Sequence, residues 1–196
     1  GDHGLLEKGC RFYEGLVRVP LIFSWPGHFK SNLQTDALVE LLDMTSTILD
    51  LTGLESPDYV QGRSLLPLLL GEASPGQHRD FVRCEYFDAI DAAMTRAPSG
   101  PFGREFEPSS AEARAESFKS SPGPFATMYR DSRYKLSVYH GDNLGELYDL
   151  ETDPWEFENL WDSPAHQEIK HELIFASFDS HVLLTTDVGS PRIAPM

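Results

Sequence analysis

The densest polar chemistry in this chain lies at its start. Gly1-Asp2-His3-Gly4-Leu5-Leu6-Glu7-Lys8-Gly9 runs on into Tyr13-Glu14-Gly15-Leu16-Val17-Arg18-Val19-Pro20. Asp2 offers a hard oxygen ligand of the kind a metal cation takes, and His3 sets an imidazole beside it. Lys8 follows as a compact point charge suited to an anionic group near such a cation. On residue types alone, Asp-His-Gly describes a turn with a solvated lysine equally well, so both readings stand at this level. Glu14 and Arg18, four apart, read as loop anchors or as a pair with each other.

These side chains need elements to hold them. Residues 19–25, Val19-Pro20-Leu21-Ile22-Phe23-Ser24-Trp25, form a nearly unbroken apolar run closed by Pro26-Gly27, the pattern of a strand buried on both faces of a parallel sheet. A brief strand within 37–42 and a helix over 44–51 follow, with Asp43 as its N-cap, Asp50 near its end and Gly53 as its stop. Ser64 is placed to cap a helix over 65–70, stopped by Gly71. Beyond the linker-like Glu72-Ala73-Ser74-Pro75-Gly76-Gln77 the pattern turns to strands, at 81–87, 125–130, 134–139 and 147–150, the middle two joined by Asp131-Ser132-Arg133. Four strands in meander order imply an antiparallel sheet, and a helix around 165–178 would cover one face. The expected fold class is therefore α/β: the end of a mixed-sheet catalytic domain at 1–73, then a small α+β subdomain at 74–196. That subdomain has a four-stranded antiparallel sheet, a C-terminal helix, and a loop-rich insertion at 88–124 with a weak helical patch at 111–118. His140 reads as a turn residue, and Tyr148, Asp149 and Asp153-Pro154 as fold residues. The tail 187–196 reads as irregular.

Composition excludes several function classes. With 31 acidic against 16 basic residues, a net charge of −15, a phosphate backbone or an anionic membrane surface would be repelled. Cys10 and Cys84 have neither metal-ligand spacing nor a disulfide framework and read as buried free thiols. No apolar run reaches the roughly 18 residues of a spanning helix. Compartment and oligomeric state stay open.

Taken in order, the motifs resemble the sulfatase family of the alkaline-phosphatase superfamily. The resemblance is carried by Asp2-His3-Gly4, Lys8-Gly9, Tyr13-Glu14-Gly15, the run from Val17 to Ile22, and Trp25-Pro26-Gly27. It continues through Asp43-Met44-Thr45-Ser46-Thr47-Ile48-Leu49-Asp50-Leu51-Thr52-Gly53-Leu54 and Gly62-Arg63-Ser64-Leu65-Leu66-Pro67-Leu68-Leu69. It closes with Glu146-Leu147-Tyr148-Asp149-Leu150-Glu151-Thr152-Asp153-Pro154, then Glu156 and Asn159-Leu160. Each motif alone is weak, and their shared order is what makes the resemblance specific.

The resemblance implies a sulfuric ester hydrolase. Asp2 would be a ligand of one divalent ion, Ca²⁺, and His3 a further ligand or a hydrogen bond to the sulfate. Lys8 would be the catalytic and substrate-binding cation at the sulfate. It also implies a formylglycine nucleophile made from a Cys or Ser in C/S-x-P-x-R, which this sequence lacks. Cys10 precedes Arg11-Phe12, Cys84 precedes Glu85-Tyr86, and Ser24-Trp25-Pro26-Gly27-His28 ends in histidine. The expectation is thus a C-terminal fragment of a sulfatase, inactive alone, whose parent carries the formylglycine and takes a small-molecule or carbohydrate sulfate ester. The alternatives are a phosphoric-ester or phosphonate hydrolase of the same superfamily, or a truncated or degenerate module that binds an anion without turnover. Four residues separate Lys8 from Tyr13, more than in some family members, and Arg11 is the other cation in that interval.

Overall fold

The computed structural model describes residues 11–87, 125–141 and 144–185. Asp2, His3, Lys8, Cys10, the insertion at 88–124 and the tail at 187–196 lie outside the described residues. Those described fall into two compact units. One comprises 11–19, 83–87, 125–129, 133–141 and 144–170; the other comprises 20–82, 130–132 and 171–185.

The first unit is built on a four-stranded antiparallel sheet in the order β1-β2-β3-β4: Val82–Phe87, Phe125–Arg130, Tyr134–Tyr139 and Leu144–Asp149. β2 and β3 fall where alternation and the Asp131-Ser132-Arg133 turn place them. β4 starts earlier than its apolar residues suggest, because Leu144 and Gly145 continue the ladder opposite Tyr139 and Val138. The register pairs Lys135 with Tyr148, Leu136 with Leu147 and Ser137 with Glu146. Cross-strand partners share a face, so one face carries Lys135, Ser137, Tyr139, Glu146 and Tyr148 and the other carries Leu136 and Leu147. Both faces are buried. Phe12, Ala126, Met128 and Tyr139 form a core cluster, with Val17, Cys84 and Tyr86 packed at its margin. Cys84 forms no disulfide and is only half-buried, a partial correction to the sequence reading.

Ahead of the sheet, Glu14–Val17 makes a single helical turn, α1. In the second unit, α2 spans Leu42–Thr52 and ends on Gly53 in the left-handed region at φ 67°. α3, Leu66–Leu70, ends the same way on Gly71, and the Ser64 hydroxyl accepts the Leu66 amide at 3.1 Å. A 3-10 turn at Pro164–His166 leads into α4, Gln167–Thr185, which is longer at its C-terminal end than the expected 165–178. None of the described helices is long and apolar enough to cross a membrane.

Three expectations about the second unit are corrected. Residues 19–25 form no strand among the described residues, and Ile22 is 84% exposed. An extended apolar segment becomes a parallel strand only when a neighbouring strand takes up its amides and carbonyls, and the described strands all belong to the meander. Residues 37–41 form no strand either. Asp43 is not an N-cap: it lies in the first turn of α2, and its side chain accepts the Glu40 and Arg63 amides and pairs with Arg79.

Candidate functional site

Asp2, His3 and Lys8 lie outside the described residues, so the site is built from the segment that immediately follows them. Residues 11–17 lie on the polar face of the sheet and are held there by charge as well as by Phe12 in the core cluster and Val17 at its margin. The Arg11 guanidinium donates to Glu146 Oε1 at 2.5 Å and to the Tyr139 hydroxyl at 3.1 Å. It also sits over the Tyr139 ring, 5.0 Å from its centroid. Tyr139 donates its hydroxyl to Glu146 Oε2 at 2.9 Å, and Tyr13 approaches Glu146 Oε1 at 3.4 Å. Tyr13 packs tilted against Tyr148 with ring centroids 6.3 Å apart. These contacts join positions up to 135 residues apart in sequence.

A second cluster lies alongside. The Lys135 ammonium, 1% exposed, meets Glu14 Oε1 at 3.1 Å and pairs closely with Glu156. Glu156 Oε2 also accepts the Glu14 amide at 2.7 Å. Glu14 therefore anchors the loop through Lys135, in agreement with its structural reading. A buried lysine is tolerable only with carboxylates to offset its desolvation, and Lys135 has two.

The electrostatics follow from this packing. For Arg11, burial acts to lower the pKa, but Tyr139 and Glu146 outweigh it and the guanidinium is raised above its ordinary value. Burial first, then the Glu146 charge, pushes Tyr13, Tyr139 and Tyr148 up. Neutral phenols thus surround a carboxylate whose cation is Arg11. The guanidinium is engaged with the fold through its Nη1. His140 Nε2 lies 2.8 Å from the Thr127 hydroxyl at the end of β3, consistent with a turn role. Asp149 takes both arms of Arg133, at 3.0 and 2.7 Å, and Asp153 accepts the Glu158 amide at 2.8 Å, so both are fold residues as read.

Among the described residues, no group of three or more His, Cys, Asp or Glu side chains could hold a metal ion. Sequence reasoning quoted Glu146 and Glu156 within motifs but did not see their roles, and it passed over Lys135 and Tyr139. The available clue was a lysine alternating with Ser137 and Tyr139 on one strand face, opposite a motif glutamate.

Comparison with known proteins bears on what this arrangement belongs to. The family model described as N-sulphoglucosamine sulphohydrolase, C-terminal, matches residues 1–100, which take in Asp2, His3, Lys8 and the whole docked segment. The chain belongs to the sulfatase family. Arylsulfatase K of Rattus norvegicus is 45% identical over 172 residues, covering 81% of this chain and 25% of that protein. Delta 4,5-hexuronate-2-O-sulfatase of Bacteroides thetaiotaomicron is 30% identical over 173 residues, covering 87% of this chain and 30% of the relative. A crystal structure of a candidate sulfatase from Bacteroides thetaiotaomicron superposes with a TM-score of 0.64 at 28% identity, over 91% of this sulfatase chain and 32% of that one. The chain thus spans about a third or less of the length of these proteins.

Proposed function

We propose that the natural protein carrying this chain hydrolyses sulfate esters, with these residues supplying part of its metal and sulfate site. The observation that supports this best is the match of the sulfatase family model to residues 1–100, where the motif residues Asp2, His3 and Lys8 stand. In this reading the Asp2 carboxylate and His3 imidazole hold one divalent ion, and carboxylate oxygen is the donor that Ca²⁺ prefers. Bound there, the ion would polarise the sulfate oxygens. Lys8 binds the sulfate and stabilises negative charge as it moves onto the sulfuryl and leaving oxygens. Arg11 is the other cation of that stretch, and its engagement with Glu146 and Tyr139 supports assigning the sulfate contact to Lys8. The substrate class is a sulfated carbohydrate, a reading supported by the hexuronate sulfatase among the relatives. The alternative of a phosphoric-ester or phosphonate hydrolase gains no support from the sulfatase family match.

The test is steady-state kinetics of the natural gene product on a sulfated uronic-acid disaccharide and on an aryl sulfate. Lys8→Ala is expected to lower kcat/KM by the equivalent of about 2–4 kcal/mol, the scale of one lost oxyanion donor. Lys8→Arg should recover only part, because a planar guanidinium cannot put its charge where a compact ammonium does. Asp2→Ala should abolish metal-dependent activity, and a change within about twofold for the lysine variants would mark Lys8 as a surface charge.

A further inference from the structure

We propose that Glu146 is a positioning residue for the site loop. Acting through the Arg11 guanidinium, it sets the place on the sheet from which the stretch carrying Lys8 departs. The inference rests on the reading of Lys8 as the sulfate contact. Glu146 sits on β4, in ladder register with Ser137 of β3, and its side chain is 8% exposed. One of its oxygens takes Arg11 at 2.5 Å, and the other takes the Tyr139 hydroxyl at 2.9 Å. Arg11 is held from a second side by the face of the Tyr139 ring. A guanidinium fixed by a charge-assisted hydrogen bond, a phenol and a ring face has one favoured place, and a sheet strand supplies a rigid base for it.

Lys8 precedes Arg11 by three residues. Even at full extension the Lys8 Cα lies within about 11 Å of the Arg11 Cα. A shift at Arg11 is therefore passed along a short tether to the ammonium, and a misplacement of about 1 Å at a catalytic group costs on the order of 100-fold in rate. Replacing the Glu146 carboxylate with an amide keeps the shape but removes the charge that holds Arg11 and turns one of the two acceptor oxygens into a donor.

The experiment measures kcat and KM of the natural gene product on an aryl sulfate, for Glu146→Gln and for Tyr139→Phe, each alone and combined with Lys8→Ala. Glu146→Gln alone is expected to lower kcat/KM about 10- to 100-fold, carried mostly by kcat. In the Lys8→Ala background the same change should cost less than about twofold, because its effect passes through a side chain already gone. Equal losses in both backgrounds, or a single-variant loss within about twofold, would overturn the proposal. A purely structural role lowers the amount of folded enzyme by the same factor whatever stands at position 8. If Glu146→Gln does not fold, Tyr139→Phe, which keeps the ring beneath the guanidinium, decides by the same comparison. Absence of turnover in the parent protein overturns the sulfatase reading itself, wild-type kinetics for Lys8→Ala overturns the Lys8 assignment, and both are seen before any Glu146 variant is made.

Discussion

Asp43 is fully buried at the start of α2, where it accepts the Arg63 amide at 2.7 Å and the Glu40 amide at 3.0 Å. It also takes two donors from Arg79, while His78 Nε2 lies 3.1 Å from Oδ2. Burial alone would raise its pKa, but Arg79 and the two amides outweigh burial and hold the carboxyl below its ordinary value. A carboxyl with a depressed folded pKa stabilises the fold above its unfolded pKa, about 3.9, and loses that contribution as pH falls through the lower folded value. Denaturant titrations of the natural gene product should therefore show stability dropping below about pH 4. Asp43→Asn should flatten that part of the profile and at neutral pH cost about 2–3 kcal/mol, because the Arg79 charge, 4% exposed, would lose its hydrogen-bonded carboxylate and keep only that of Glu40 at 3.5 Å. An unchanged acid limb in Asp43→Asn would refute the assignment. Lys135 belongs to the same class of residue. On a strand, Lys135 and Ser137 read as a solvent face, and the docked segment at 11–17 turns that face inward.

At the scale of elements, β4 is an edge strand, and the chain that follows covers its free edge. Leu160 donates to the Leu147 carbonyl at 2.8 Å, and Asn159 accepts the Leu147 amide at 3.0 Å and donates to the Gly145 carbonyl at 3.2 Å. This blunts an edge that would otherwise template pairing with another chain. Trp161 closes the arrangement by lying flat on Gly145, where an added Cβ would stand 2.2 Å from the ring. Gly145→Ala is accordingly expected to destabilise by about 1–3 kcal/mol through overpacking, read from the urea midpoint. Trp161→Leu in the same chain should relieve part of that loss, and equal stability of Gly145→Ala and wild type would contradict the close packing. The second unit shows the opposite situation. Met44 and Ile48 share one face of α2 by their spacing and are exposed, as are Leu41 at its N-cap and Ile22 in the segment expected to be a strand. A helix stop can be read from local chemistry, as at Gly53 and Gly71, whereas a parallel strand exists only through its neighbours.

For the molecule as a whole, the missing C/S-x-P-x-R motif makes a direct prediction. The purified 196-residue chain, given an aryl sulfate and Ca²⁺, should show no turnover above its own Asp2→Ala variant, since the nucleophilic step has no residue to perform it. Turnover above that control would overturn it. The elements marked by local physics were legible in the sequence. The β2-β3 hairpin follows from alternation and turn residues, and the ends of α2 and α3 from Gly53 and Gly71 in the left-handed region. The ordered motifs were enough to name the family. What only the tertiary structure decided is which charges meet. Arg11 with Glu146, Lys135 with Glu14 and Glu156, and Asp43 with Arg79 join residues from 21 to 135 positions apart. No local propensity encodes such pairs, because a buried charge is acceptable only where the fold brings its partner, and that depends on the register of β3 against β4 and on the segment laid over them.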